Sequence, residues 1–182
     1  MKIGIDISQI VYEGTGISRY VRELVRALVS LDTKNEYVLF GSSLRKRDSF
    51  YSFFTSLGVK SRVRLVVIPI PPTLLEYLWN VLHILPIEFF IGNVDVFWSS
   101  DWTQPPLSSA KGITTIHDVS FLRYPESFSE KIISVQKRRL RHAIRECQTI
   151  LCDSLATRDD VSSFLSLSID RLHVVYPGVT TI

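Results

Sequence analysis

The chain of 182 residues is 46% hydrophobic and 21% charged, which favours a single domain over residues 1–182 with one good core. Its net charge of only +3, with no aromatic–basic platform, argues against nucleic-acid binding. The two cysteines, Cys147 and Cys152, have neither the spacing of a zinc site nor the density of a disulfide scaffold. With no secretory leader at the amino terminus, the sequence predicts a cytoplasmic protein without a metal.

The first 31 residues predict a strand, a glycine-bearing loop and a helix. An apolar run at 3–7 is followed by a polar stretch, and apolar positions then recur three and four apart over 17–31. Gly14, Thr15 and Gly16 come just before the helix, whose first N–H groups lack internal partners and favour an anion. The loop is therefore a candidate site for a phosphate or a sugar hydroxyl. The alternative is a turn in which glycine only supplies a positive φ.

The same loop argues against a dinucleotide cofactor. The dinucleotide-binding fingerprint, Gly-x-Gly-x-x-Gly, requires a third glycine where this chain has Arg19, and it requires an acidic residue after the second strand. The second strand-like run, 37–40, is followed by glycine and serines instead. We therefore predict no NAD site and no other cofactor.

The longest apolar stretch, residues 72–92, contains charged and polar interruptions that a membrane span tolerates poorly. We reject a transmembrane helix there. The expected structure is a buried or interfacial helix with a kink near Pro86.

Strand-like runs recur along the rest of the chain, and helical patterns separate most of them. Such alternation is typical of parallel strands joined by crossover helices, so we predict an α/β fold with a mostly parallel sheet of about six or seven strands. The runs are residues 3–7, 37–40, 63–68, 94–98, 112–116, 149–152 and 172–175.

Polar residues follow several of these strands, at the edge where parallel sheets bind ligands. His117 is singled out because an imidazole at a strand end can both form hydrogen bonds and move a proton near neutral pH. The alternative is a structural histidine. Asp118 is also explained as a turn cap, and Ser154 as a helix N-cap. The strand-end residues are Ser8, Asp101, His117, Asp118, Asp153 and Ser154.

These residues, in this order, resemble the family 4 glycosyltransferases of the GT-B fold. The segment 117–126 is especially similar to the mannosyltransferase-like branch that builds bacterial surface polysaccharides. The resemblance covers nearly all of the chain and looks like the family's amino-terminal half. It rests on residues 5–6, 14–20, 94–97, 115–118, 152–154 with Thr157, and 175–179.

The resemblance implies a Rossmann-like domain with helices on both faces of its sheet. It implies a retaining transfer of a sugar, mannose in this branch, from a nucleotide sugar to a polysaccharide or lipid-linked acceptor. Gly16 would then lie near the donor phosphates and the acceptor, and His117 would contact the donor sugar. Ser8, Asp101, Asp118 and Ser154 are expected to line the cleft.

In the family, a second domain holds most of the nucleotide. This chain ends where the linker to that domain would begin, so we expect either an isolated piece or a natural truncation, inactive alone. The alternative is a free-standing nucleotide- or sugar-binding module without catalysis. Continuation of the source gene into a second Rossmann-like domain with an acidic pair distinguishes the two.

The stretch 130–146 predicts a basic amphipathic helix. Such a face can attract anionic lipid head groups, which would place the protein at the inner face of the membrane. The alternative is a solvated helix surface. His142 and Glu146 lie one turn apart, but two ligands without a third do not predict a metal site.

Overall fold

A computed structural model describes residues 1–58 and 61–178; Val179, the last residue of the 175–179 motif, lies outside them. Within these residues, seven strands form one sheet in which every neighbouring pair is parallel. The strands are β1 (Lys2–Asp6), β2 (Glu36–Ser42), β3 (Val63–Ile68), β4 (Val96–Ser99), β5 (Lys111–Ile116), β6 (Cys147–Cys152) and β7 (Leu172–Val174).

The strand order is β3-β2-β1-β4-β5-β6-β7, so the predicted Rossmann-like α/β fold is confirmed. Seven α-helices lie between the strands in the described part of the chain. They are α1 (Gly16–Leu31), α2 (Arg47–Ser56), α3 (Pro72–Glu76), α4 (Ile87–Ile91), α5 (Ser120–Arg123), α6 (Glu130–Glu146) and α7 (Leu155–Leu165).

Side-chain oxygens cap the three longest helices, as their sequences favour. Thr15 accepts from the Ser18 N–H at 3.2 Å at the start of α1, and Ser129 accepts from the Ile132 N–H at 3.4 Å at the start of α6. Ser154 does the same for α7, accepting from the Thr157 N–H at 3.1 Å. These caps fix where the helices begin after the strand-end loops.

Helices cover both faces of the sheet, as predicted. On one face, α1 and α2 pack with Val25 and Phe50 against Ile5 and Leu39. On the other, α3 and α4 cover β2, β1 and β4, where Phe97 is fully buried. Helices α6 and α7 continue this second layer over β5, β6 and β7.

The prediction of a single helix kinked near Pro86 is wrong. Residues 72–92 form α3, a π-helical turn over Tyr77–Val81, and the separate helix α4, which Pro86 precedes as its N-cap. His83 and Leu85 between them have positive φ angles, and the Trp79 indole donates to the Leu85 carbonyl at 3.0 Å. Burial of Trp79 thus folds the intervening chain back instead of extending the helix. No helix among the described residues is both long enough and apolar enough to cross a membrane.

The order of the strands reverses between β1 and β4, and a buried carboxyl lies at this point. Asp6, at the end of β1, accepts from the Ser8 N–H at 2.8 Å. Burial raises the pKa of Asp6, although hydrogen bonds from Ser8 and Ser100 oppose the shift. Open parallel sheets bind ligands beside such a reversal.

Gly112 in β5 is expected to be intolerant of any side chain. A Cβ atom there would lie 2.5 Å from the Glu146 carbonyl oxygen and 2.9 Å from the Cys147 Cα, both backbone atoms. We predict that Gly112→Ala lowers the free energy of unfolding by about 1–3 kcal/mol, measured in urea. Gly16→Ala is the control, because its Cβ would meet nothing within 4 Å. Equal urea midpoints of unfolding for the two variants would contradict the prediction.

The raised pKa of Asp6 predicts a pH dependence of stability. The folded state keeps the proton of this carboxyl at pH values where the unfolded chain has lost it, so its contribution falls as pH rises above 3.8. Asp6→Asn should remove that loss, and the variant should gain stability relative to the parent between about pH 4 and 7. Urea unfolding across this range tests it, with the exposed Asp48→Asn as control. A pH-independent difference would refute it.

Candidate functional site

A cavity of about 210 Å³ opens at the carboxyl edge of the sheet, between the ends of β4 and β5 and helix α6. Ile17, Phe121 and Phe128 contribute part of its apolar wall. Polar groups converge from strand ends and from α6, which is the arrangement of a small-molecule site. The polar lining residues are Asp101, Thr115, His117, Asp118, Gln136 and Arg139.

His117 is paired with a carboxylate from the neighbouring strand end. Its Nδ1 lies 2.7 Å from Oδ2 of Asp153. An ionised carboxylate only accepts, so the imidazole donates from Nδ1. Among the described residues, no protein atom hydrogen-bonds to the other ring nitrogen, Nε2. The ring therefore keeps one polar atom for a ligand in the cavity.

Two further contacts fix the position of His117. The edge of the Tyr20 ring meets the imidazole with the centroids 4.9 Å apart, and the Thr157 hydroxyl donates to the His117 carbonyl at 3.1 Å. Burial raises the pKa of Tyr20, which keeps this phenol neutral. The imidazole is thus held before any ligand arrives.

Asp153 is one of the strand-end residues named in the sequence analysis, but its pairing with His117 was not predicted. The register of strands β5 and β6 indicates this pairing. Ile116 and Cys152 are register partners in β5 and β6, so the residues that follow them, His117 and Asp153, are neighbours. This argument needs the pairing of the two strands, which sequence periodicity does not supply.

Arg139 is a site residue that the sequence analysis missed. Its side chain is only 2% exposed, and its guanidinium donates to the carbonyls of Ser100 at 2.9 Å and Thr115 at 3.2 Å, and to the Thr114 hydroxyl. It therefore ties the end of β4 to the end of β5. In the sequence it stands in a basic run whose ordinary interpretation is a solvated surface.

The charges of Arg139 and Asp101 influence each other. Burial raises the pKa of Asp101, whereas the positive charges of Arg139 and His117 lower it. Burial lowers the pKa of Arg139, and the negative charge of Asp101 opposes that shift. Asp101 Oδ1 and Arg139 Nε are buried without a hydrogen-bond partner among the described residues.

The other predicted residues are more dispersed. Asp118 lines the cavity but also accepts from the Ser120 N–H at 2.8 Å, which is the predicted turn cap. Ser154 caps α7 and is not among the residues lining this cavity. Ser8 lies in a separate small cavity of about 20 Å³ with Ser42 and Ser100. Of the predicted cleft residues, the structure thus brings Asp101 and Asp118 to His117.

The glycine loop lies beside the cavity. Gly14 has φ of 84°, so the turn does require a residue that tolerates a left-handed backbone. Thr15 caps α1, and Gly16 is its first residue; all three loop residues are exposed. The next residue, Ile17, lines the cavity. A ligand in the cavity can therefore extend to the exposed start of α1.

The two residues with metal-like spacing have other partners. Glu146 Oε1 lies 2.9 Å from His83 Nε2, while His142 Nε2 lies 3.2 Å from the Asn80 carbonyl oxygen. Within residues 1–58 and 61–178, no group of three potential ligands surrounds a metal position.

Comparison with known proteins identifies the family. No curated protein matches the chain. The family model described as Glycosyltransferase Family 4 matches residues 14–181, which include the glycine loop, His117, Arg139 and Asp153. Because this match covers most of the chain, the protein belongs to Glycosyltransferase Family 4.

Proposed function

We propose that this chain is the acceptor-side half of a retaining glycosyltransferase with the GT-B fold. It moves a sugar, with mannose as our first candidate, from a nucleotide sugar to a hydroxyl of a polysaccharide or lipid-linked acceptor. The observation that carries the proposal is the His117–Asp153 pair, with Nδ1 and Oδ2 2.7 Å apart at the edge of a polar cavity. Family membership supports glycosyl transfer in general.

The reaction breaks the bond between the anomeric carbon and the phosphate oxygen, and forms a bond from that carbon to the acceptor oxygen. The proton of the acceptor hydroxyl passes to the leaving phosphate oxygen, on which negative charge develops as its bond to the anomeric carbon breaks. Preorganised donors must meet that charge, and the exposed start of α1 at Gly16 supplies N–H groups and a positive dipole end. We assign Gly14, Thr15 and Gly16 to the phosphates and acceptor on this basis.

His117 has the role of positioning the donor sugar in this proposal. Since Asp153 engages Nδ1, Nε2 is the ring nitrogen that can form a hydrogen bond with a sugar hydroxyl. Asp101, which is partly exposed and lines the same cavity, is suited to a further hydroxyl of the bound sugars. A polar, hydroxyl-rich ligand fits these groups better than an apolar one does.

His117→Ala in the enzyme with both domains should reduce kcat by about a hundredfold or more, which corresponds to roughly 2–4 kcal/mol of transition-state stabilisation. Asp153→Asn should reduce it less, because the amide still accepts from Nδ1 without the charge. Steady-state rates and urea midpoints are measured on the same preparations. A lowered midpoint with an unchanged rate per folded molecule would remove His117 from the site.

Ser154→Ala is the matched structural variant, because Ser154 is adjacent to Asp153 and caps α7. Loss of this N-cap should cost about 1 kcal/mol of stability and leave the rate of the folded enzyme within about twofold. A rate loss as large as that of His117→Ala would show that Ser154 contacts substrate after all.

The isolated chain should bind GDP-mannose and UDP-glucose weakly and show no glycosyl transfer, since we assign most nucleotide contacts to a second domain. Calorimetric titration with each nucleotide sugar measures this. Tight binding to this chain would favour the free-standing binding module instead, and would contradict the assignment of the donor site to a second domain.

A further inference from the structure

The cavity that contains His117 is lined by apolar as well as polar side chains. Four apolar residues from helix α5, the loop after it and helix α6 line it together. Phe121 and Leu140 belong to the hydrophobic core of this layer, and Phe128 packs against that core. We call these residues the apolar patch: Phe121, Phe128, Ile132 and Leu140.

Part of the apolar patch is open to a ligand. Phe121 and Leu140 are only 5% and 2% exposed, so they form its base. Phe128 is half-buried and Ile132 is 36% exposed, so these two side chains present apolar surface at the cavity. The polar residues between them in the chain, 129–131, are not among the lining residues. A ligand substituent at this place therefore meets apolar side chains.

Helix α6 places a hydrogen-bonding group one turn away from Ile132. Gln136 also lines the cavity, and the rise of four helical residues separates the two Cα positions by about 6 Å. The Gln136 amide is held in place, because its Nε2 donates to the Asp101 carbonyl at 3.2 Å. Among the described residues no group donates to the amide oxygen, which is therefore free to accept from a ligand hydroxyl.

Ile132 and Gln136 favour different substituents on one ligand. Against the apolar patch, a hydroxyl loses its water without gaining a hydrogen bond, whereas a methyl group gains free energy by leaving water. Beside Gln136 and His117, a hydroxyl finds hydrogen-bond partners. The separation of about 6 Å along α6 is similar to the span of one pyranose ring. The ligand that satisfies both neighbours is a sugar ring with hydroxyls on one side and a methyl group on another.

The size of the cavity also favours a single sugar unit. Its volume is about 210 Å³. Sites for drug-sized ligands measure about 300–1,000 Å³, so a whole nucleotide sugar does not fit in this space.

We propose that the cavity selects an acceptor sugar that carries a methyl-bearing substituent. The methyl group packs on Phe128 and Ile132, and ring hydroxyls bond to Gln136 and His117. Two sugar classes supply such a group: 6-deoxyhexoses, with a methyl on C5, and N-acetylated hexosamines, with the methyl of the acetamido group. The acceptor role rests on the proposed function, whereas the binding preference is measured without any reaction.

Titration of this chain with matched free sugars, followed by NMR, tests the preference. The pairs are L-rhamnose with L-mannose, L-fucose with L-galactose, and N-acetylglucosamine with glucose. In at least one pair the methyl-bearing sugar should bind about five- to tenfold more tightly, because one buried methyl group is worth about this factor. The pair that shows the preference identifies the source of the methyl group. Equal affinities in every pair, or no binding of any methyl-bearing sugar, would overturn the proposal.

Variants of the apolar patch connect the preference to its residues. Ile132→Gln should lower the ratio of affinities within the pair to below about twofold, and Ile132→Ala should lower it partly. Gln136→Leu should weaken both sugars of the pair and keep their ratio. Ile169→Gln is the matched control, because Ile169 is also exposed and does not line the cavity.

Urea midpoints of unfolding establish that each variant is folded, and Ile132→Ala replaces Ile132→Gln if the latter is not. A ratio that stays at the parent value in the folded Ile132 variants, or that falls equally in Ile169→Gln, would contradict the role of the apolar patch.

Rates of the enzyme with both domains separate this inference from the proposed function. The preferred methyl-bearing acceptor should have a kcat/KM about five- to tenfold above that of its hydroxyl-bearing partner. Transfer to both acceptors with equal kcat/KM would contradict the methyl preference and leave the proposed function standing. A methyl preference in binding, without transfer to any acceptor, would support the selectivity of the cavity and contradict the proposed function.

Discussion

Parallel pairing of all strands in the sheet is the constraint on which the site depends. Because each strand runs in the same direction, every carboxyl end emerges at one edge. The register of β5 with β6 then places His117 next to Asp153, although 36 positions separate them in the chain. A different register between these two strands would leave both side chains without this partner.

Arg139 of helix α6 stabilises the same carboxyl edge of the sheet. A buried guanidinium is costly unless its donors are satisfied, and this one bonds to two carbonyls and a hydroxyl at the ends of β4 and β5. These hydrogen bonds offset the cost of burying the charge, and they hold together the two strand ends that carry Asp101 and His117. A leucine in this position would fill space but would leave those carbonyl groups without their donor.

Helix α6 connects the cavity with the outer surface. One flank carries Gln136 and Arg139 into the cavity wall, and another carries Arg138 and His142 against the chain at 76–83. The buried flank explains why so basic a helix is stable in this layer, since Val135, Leu140 and Ala143 pack into the core. Arg141 and Arg145 on its outer side are exposed.

The sequence by itself determined the α/β class, the seven strands, the helices α1 and α6, and the cap at Ser154. These features depend on local periodicity and on side chains within one turn of the helix start, and both can be read from neighbouring residues. Tertiary structure alone decided the rest. Asp153 becomes a partner of His117 only through strand register, and Arg139 becomes a buried tie only because α6 turns it towards the sheet. The break after the π-helical turn follows from the packing of Trp79, which no local pattern at 72–92 reveals. In each case the contact joins residues that become neighbours only when the chain folds. Sequence periodicity reports which residues share a face of a helix or strand, but not which elements pack together.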